Sequence, residues 1–187
     1  MNLVFMLEEP SAKAMLEGLM PRILPDHCNV QYIVFEGKQD LLKRLHIKLR
    51  GWLAPNTCFV VLFDKDNQDC VDLKVQAAQI CTTSGKPNAL VRIVCHELES
   101  WYLGDLKSVE TALQVPGLSN KQKSQYQTPD NILDPKGELK RLTKDAYQQV
   151  NGSRKIGKIL SPTNNLSTSF SFFISGIQKL VSEECFN

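Results

Sequence analysis

Four short segments of the chain are almost continuously apolar. They are rich in Val, Ile, Leu and Phe, and they cover Leu3–Leu7, Val30–Phe35, Cys58–Phe63 and Leu90–Cys95. Strands that are buried on both faces have this pattern, whereas strands with one solvated face alternate polar and apolar residues. The pattern therefore predicts four strands of a mainly parallel sheet that is covered by helices on both faces.

Segments with helical spacing separate these predicted strands. Apolar residues repeat every three or four positions over Ser11–Met20, Asp40–Leu49 and Asp69–Thr82. Ser11 follows Pro10 and is a candidate N-cap of the first helix, and Asp69 is a candidate N-cap of the third. The regular alternation of strands and helices predicts a layered α/β domain.

Beyond Trp101 the sequence changes to shorter helical patterns separated by turns. Turn signals occur at Pro116–Gly117, Thr128–Pro129, Asp134–Pro135 and Asn151–Gly152. A helical pattern covers Lys136–Tyr147, and a final helix carries apolar residues at 170, 173, 174, 177, 180 and 181, with Ser167 or Ser169 as its cap. We therefore expect an α/β core over residues 1–105 and a helical extension over residues 106–187 that packs on this core.

The composition is that of an ordinary globular protein. The chain has 187 residues, 42% hydrophobic residues and a net charge of +2, so one domain with a real core is expected. The apolar start, Met1–Leu7, has no basic leader and runs into two glutamates, which argues against a signal peptide. No apolar stretch has the length of a membrane span. We expect a cytoplasmic protein with no membrane partner, and the sequence leaves open whether copies of the chain form a homo-oligomer.

The cysteines do not indicate a zinc site. They are Cys28, Cys58, Cys70, Cys81, Cys95 and Cys185. None forms a CxxC pair, which structural zinc sites usually contain. We expect all six to be reduced thiols.

Acidic residues directly follow three of the four predicted strands. They are Glu8 and Glu9, Asp64 and Asp66, and Glu97 and Glu99. The carboxyl ends of parallel strands share one edge of the sheet, and ligand sites form there. Carboxylates that lie close together repel one another unless a cation binds between them. The sequence thus predicts an acidic rim that suits Mg²⁺.

Each acidic residue also has a simpler interpretation. Loops between strands and helices often carry Asp or Glu as helix caps, and this is the favoured interpretation for Asp69. For Asp64 with Asp66, metal binding and capping are about equally supported by the residues alone. Glu97 and Glu99 are either metal ligands or a pair at a helix start beside a packed Trp101.

Two of these segments resemble a known family. Leu7–Ser11 resembles the strand-end "EG" segment of Toprim domains, and Phe63–Asp66 resembles their DxD segment. The chain is similar to a Toprim-like family of unknown function in bacteria and archaea, whose members are often encoded beside AAA-type ATPases. The matching residues are Phe35–Lys38, Asp40, Leu41, Asp64–Asp66, Cys70, Leu73, Lys74, His96–Trp101, Gly104, Asp105, Pro129, Asp130, Asp134–Lys136, Leu139 and Ser167–Phe170.

The resemblance implies a Toprim-like α/β fold and a role in phosphodiester chemistry. Glu8 would be a general acid/base or a metal ligand, and Asp64 and Asp66 would hold Mg²⁺ or Mn²⁺. Glu97 and Glu99 would bind a second metal, as in OLD-type nucleases. The implied function is a nuclease or nuclease-like effector, with an AAA-type ATPase partner, in anti-phage defence or a mobile element. The alternative is a non-catalytic subunit that regulates this partner.

Three positions depart from the family pattern. Glu9 stands where glycine is usual, Ala12 stands where an acidic residue is common, and Gln68 occupies the third place of the longer DxDxD form. These departures favour the non-catalytic alternative, whereas the intact Glu8, Asp64 and Asp66 favour the nuclease. Whether the substrate would be DNA, RNA or another phosphate compound is left open.

Lysines, arginines and one histidine complete the candidate residues. Lys38 follows Gly37, but no P-loop motif surrounds it, so ATP hydrolysis is not expected. Lys38 could reach a substrate phosphate from the rim after the second strand, but a solvated lysine at a helix start is the favoured interpretation. His96 is expected to be structural. Basic residues beyond residue 135 could contact nucleic-acid phosphates or acidic residues of a protein partner, although such charge is mostly a solvated face. They are Lys136, Lys140, Arg141, Lys144, Arg154, Lys155 and Lys158.

Overall fold

The computed structural model describes residues 1–123 and 125–182. Its centre is a sheet of four parallel strands in the order β2-β1-β3-β4. The strands are β1 (Asn2–Leu7), β2 (Asn29–Val34), β3 (Thr57–Asp64) and β4 (Leu90–Val94). Each of the four apolar segments is thus a strand, and the prediction of an α/β fold with a mainly parallel sheet flanked by helices is confirmed.

Eight α-helices lie in the described part of the chain. They are α1 (Pro10–Leu19), α2 (Lys38–Arg50), α3 (Cys70–Thr83), α4 (Glu99–Leu103), α5 (Leu106–Leu113), α6 (Pro135–Leu142), α7 (Gln149–Gly157) and α8 (Thr168–Ser182). The first three match the predicted helices. The Asp69 cap is confirmed, because its carboxylate accepts hydrogen bonds from the N–H groups of Val71 and Asp72. The Ser11 cap is wrong, since Pro10 takes the first helical position and Glu9 is the N-cap.

The sheet is covered on both faces, which explains its continuous hydrophobicity. Alternate residues of a strand point to opposite faces, so Val4 and Met6 pack in one cluster with α2 and α3. Leu3, Phe5 and Leu7 pack in the other cluster, with α1 and the helices that follow β4. The chain is therefore a three-layer α/β/α arrangement.

The helices beyond residue 105 belong to the second of these clusters. Buried Tyr147, Ile156, Phe170 and Phe173 share it with β1 and β3. Helix α6 ends at Leu142 rather than near Tyr147, because Lys144 and Asp145 have positive φ angles. The turn predicted at Asn151–Gly152 is wrong: these residues lie inside α7, where Gly152 allows the ring of Tyr147 to pack against the helix.

A polar network fixes the start of α8 to α4 and to the turn Pro129–Asn131. Trp101 Nε1 donates a hydrogen bond to Ser169 Oγ at 2.9 Å. Asp130 accepts hydrogen bonds from Ser167 Oγ at 2.7 Å and from the N–H of Ser169 at 2.8 Å. The N–H of Phe170 donates to Ser167 Oγ, which confirms Ser167 as the cap. Several residues that carry the family resemblance therefore have this structural role.

Two further observations concern membrane crossing and cysteine chemistry. None of the helices in the described residues has both the length and the apolar character needed to cross a bilayer. Cys28, Cys70, Cys81 and Cys95 are free thiols. Cys58 is disulfide-bonded, so the expectation that every cysteine is reduced is wrong at this position. Cys185 lies outside the described residues.

Candidate functional site

The carboxyl ends of β1 and β3 are joined by a direct hydrogen bond. Glu8 directly follows β1, and Asp64 is the last residue of β3. The N–H of Asp64 donates to Glu8 Oε2 at 2.9 Å, and the carbonyl of Glu8 accepts from the N–H of Gly37, after β2. Asp64 Oδ2 in turn accepts from the N–H of Leu98, beyond β4. The ends of all four strands are thus linked around two partly buried carboxyl groups.

Burial and like charges act together on these two groups. Desolvation raises the pKa of Glu8, and a hydrogen bond from Asp64 and the charge of Lys38 partly offset it. The pKa of Asp64 is raised well above its ordinary value, first by desolvation and then by Glu9, Glu8 and Glu99. Within the described residues neither Glu8 nor Asp64 forms a salt bridge with Lys, Arg or His. A cation near this pair would relieve the repulsion.

Asp66 is paired with a lysine in this structure. Lys38 Nζ lies 2.6 Å from Asp66 Oδ2 and 3.3 Å from Gln68 Oε1. The side chain of Lys38 is only 10% exposed, whereas that of Asp66 is 55% exposed. The expectation of a solvated Lys38 is therefore wrong. Lys38 is the first residue of α2, but its ammonium group is held at the rim by Asp66.

The backbone around Asp66 has an unusual conformation. Asp66 and His96 have φ angles of 51° and 60°, in the left-handed region that non-glycine residues rarely adopt. The N–H of Asp66 donates to the carbonyl of His96 at 2.9 Å, so the two loops hold each other. Such conformations cluster at functional sites, where the surroundings enforce them.

Glu99 lies below the rim and is almost completely buried. Its side chain is 1% exposed, and it accepts a hydrogen bond from Tyr147 Oη at 2.8 Å. Burial raises the pKa of Glu99 to about 7, with Tyr147 partly offsetting this shift. The hydroxyl of Tyr102 is also buried. Its pKa is raised first by burial and then by the charges of Glu99, Glu9 and Asp64, and an interaction with Ser153 partly offsets this shift.

The helical extension reaches the rim through two glutamates. Glu97 Oε2 accepts a hydrogen bond from the N–H of Lys136, at the start of α6. Glu9 Oε2 accepts one from Gln149 Nε2, at the start of α7. The backbone of Glu9 is extended, with φ −143° and ψ 159°, a conformation open to any residue. Glu9 in place of glycine therefore does not distort the presentation of Glu8.

The donors at the rim suit a hard divalent cation. Over residues 1–123 and 125–182, no three His, Cys, Asp or Glu side chains are positioned to bind one metal ion together. Mg²⁺ needs only one or two carboxylates, because water and substrate phosphate supply its other oxygen ligands. Glu8 and Asp64, which are joined by a hydrogen bond, meet this requirement, whereas Asp66 is paired with Lys38. Glu97 and Glu99 are engaged with α6 and with Tyr147, respectively.

The basic residues of the extension are mostly unpaired. Lys140, Lys144, Arg154 and Lys155 are exposed, and within the described chain none of them forms a salt bridge. Arg141 instead pairs with Glu138. The sequence therefore predicts the exposed positive charge of the extension, but it does not reveal that Arg141 is paired with Glu138.

Three residues of the site were missed or undervalued from the sequence. Tyr147 and Gln149 lie far along the chain from the glutamates they contact, and no local pattern marks them. Lys38 had a usable signal, since it follows β2 and so lies at the same edge as Glu8 and Asp64. Its pairing with Asp66 depends on the reach of its side chain.

These features define a parallel α/β protein with an acidic rim at the carboxyl edge of its sheet. The chain belongs to the family described as Domain of unknown function (DUF4276), whose model matches residues 7–178. No curated protein and no solved structure matches the chain significantly.

Proposed function

We propose that the chain is a Mg²⁺- or Mn²⁺-dependent nuclease or nuclease-like effector that cleaves nucleic-acid phosphodiesters at the rim of Glu8, Asp64 and Asp66. It acts with an AAA-type ATPase partner in a defence or mobile-element system. The observation that carries the proposal is the hydrogen bond from the N–H of Asp64 to Glu8 Oε2. It fixes the carboxyl group of Glu8 against the main chain of Asp64, at the sheet edge where α/β proteins bind ligands.

Each residue has a distinct role in this proposal. Asp64 and Asp66 hold the metal, and Glu8 acts as a ligand or as the general base that takes the proton from the attacking water. Burial raises the pKa of Glu8, which makes its carboxylate a stronger base towards the proton of the attacking water. The metal, when bound, stabilises charge on the phosphate oxygens. The water oxygen would bond to phosphorus while the bond between phosphorus and the leaving sugar oxygen breaks, and this oxygen would take a proton from solvent.

A non-catalytic subunit is the second candidate, and one observation favours it. The Lys38–Asp66 contact neutralises Asp66 without any metal, as expected for an ion pair that only stabilises the rim. In this case the acidic rim would bind or regulate the partner ATPase.

Cleavage assays separate the two candidates. Labelled single- and double-stranded DNA and RNA are incubated with Mg²⁺ or Mn²⁺, with the chain alone and with an AAA-type ATPase encoded beside it. We expect cleavage that is lost in Asp64→Asn and Asp66→Asn and retained in Asp72→Asn. Asp72 is an exposed acidic residue of α3 and serves as the matched control. Cleavage that survives both rim substitutions would overturn the nuclease proposal, and no cleavage under any condition would favour the non-catalytic subunit.

A further inference from the structure

We propose that Lys38 is a resident cation that competes with the divalent metal for Asp66 and thereby sets the metal affinity of the rim. This inference rests on the proposed metal site. It assigns to Lys38 a role in metal loading, beyond the stabilisation of a loop.

The position of Lys38 is built by its surroundings. Gly37 precedes it with a φ of +93°, a conformation that favours glycine, and its N–H donates to the carbonyl of Glu8 at 3.1 Å. The residue that precedes α2 is thereby hydrogen-bonded to the main chain of Glu8, whose carboxyl group is proposed to act in catalysis. From there the Lys38 side chain runs under cover to the rim, where only 10% of it is exposed.

The ammonium group takes the place that a metal would need. Lys38 Nζ contacts a carboxylate oxygen of Asp66 and the amide oxygen of Gln68, and its charge also acts on Glu8. Its neighbours are thus oxygen atoms, the donors that Mg²⁺ and Mn²⁺ prefer. A bound ammonium and a bound metal would repel each other across a few ångströms. Metal binding at Asp66 therefore requires the Lys38 ammonium to leave.

Lysine is suited to this exchange because its charge sits on a flexible four-carbon stem. The ammonium group contacts only one charged partner, Asp66, because the side chain of Gln68 is neutral. A doubly charged metal ion can therefore displace it from Asp66. If Lys38 only stabilised the loop, its removal would leave the negative charge of Asp66 unpaired and would not increase the affinity of the rim for metal.

Metal titration of charge-removing variants tests the competition directly. Mn²⁺ binding is measured by calorimetry for the wild type, Lys38→Met, Lys38→Gln, Lys38→Arg and the control Lys43→Met. Lys43 is an exposed lysine of the same helix. We expect Lys38→Met and Lys38→Gln to bind Mn²⁺ about twofold to fivefold more tightly, the range that corresponds to the loss of one ion pair whose carboxylate is exposed. Lys38→Arg, which keeps the charge, and Lys43→Met should bind as the wild type does.

The outcomes of the titration distinguish a failure of the proposed competition by Lys38 from a failure of the proposed metal site. Unchanged or weaker affinity in both charge-removing variants overturns the inference, while Mn²⁺ binding that is lost in Asp64→Asn would still support the proposed metal site. Binding by Lys38→Met but not by the wild type supports the inference in its strongest form. No binding by any protein overturns both the inference and the proposed metal site.

A second measurement needs no substitution and so does not depend on variant folding. Acetylation of Lys38 by a soluble amine-reactive ester is followed by mass spectrometry, with and without Mg²⁺. We expect Mg²⁺ to increase the modification of Lys38 severalfold, because the ammonium leaves its covered position, and to leave Lys43 unchanged. Equal modification of Lys38 with and without saturating Mg²⁺ would contradict the inference.

Discussion

Gly157, at the end of α7, packs directly against the main chain of Met15 in α1. A Cβ at this position would overlap the main chain of Met15, and neither helix can move without disturbing the core behind it. Gly157→Ala should therefore destabilise the protein by about 2 kcal/mol, as overpacking typically does. The free energy of unfolding in urea measures this loss.

The exposed Asn151 of the same helix provides the control. Asn151→Ala changes a solvent-facing side chain, so its effect should stay within about 0.5 kcal/mol. Equal stability of Gly157→Ala and Asn151→Ala would show that α1 and α7 do not pack as closely as the structure indicates.

The strands and the first three helices could be predicted because their signals are local. Each buried strand is an apolar run, and parallel topology then brings the residues that follow the strands to one edge, as it does for Glu8 and Asp64. The pairing of Lys38 with Asp66 could not be predicted, since β2 and β3 are not neighbours in the sheet. The Tyr147–Glu99 hydrogen bond joins residues 48 positions apart, and only tertiary packing determines it.

Glu99 should make stability depend on pH. Its pKa is raised from an ordinary 4.5 to about 7 in the folded chain, so between these values the folded state binds more protons than the unfolded state. Stability should therefore fall as pH rises through this window and level off above it. Glu99→Gln keeps an oxygen for Tyr147 and removes the charge, so at about pH 8 it should be more stable than the wild type by about 2–3 kcal/mol.

Unfolding curves at about pH 4.5 and pH 8 check this expectation, since near the lower pH the Glu99 side chain is neutral in the folded state and only about half ionised in the unfolded state. The gain from Glu99→Gln should be present at the higher pH and largely absent at the lower one. Taking the difference between the two proteins cancels most of the contribution of Glu8 and Asp64. If the stability gained by Glu99→Gln did not change with pH, the pKa of Glu99 would not be raised in the folded state.

Asp130 should stabilise the protein through α8. Its carboxylate accepts hydrogen bonds from Ser167 Oγ and from the N–H of Ser169, in the first turn of the helix. Asp130→Ala would leave these donors unsatisfied in a buried region and should cost about 2 kcal/mol of unfolding free energy. The exposed Asn131 next to it serves as the control, and Asn131→Ala should have little effect. Equal losses in the two variants would argue against Asp130 as an anchor of α8.

The affinity of the rim for divalent metal should rise with pH over a range where ordinary carboxylates no longer titrate. Desolvation and neighbouring carboxylates raise the pKa of both Glu8 and Asp64, and protons compete with a metal for the same oxygens. Calorimetric Mn²⁺ titrations between about pH 5.5 and pH 8 should show binding that strengthens with pH and releases protons. Glu8→Gln should flatten this dependence, because one of the two titrating groups is removed, whereas Asp72→Asn, on the exposed face of α3, should leave it unchanged. A pH-independent affinity would indicate that metal binds to exposed carboxylates of ordinary pKa rather than at the rim.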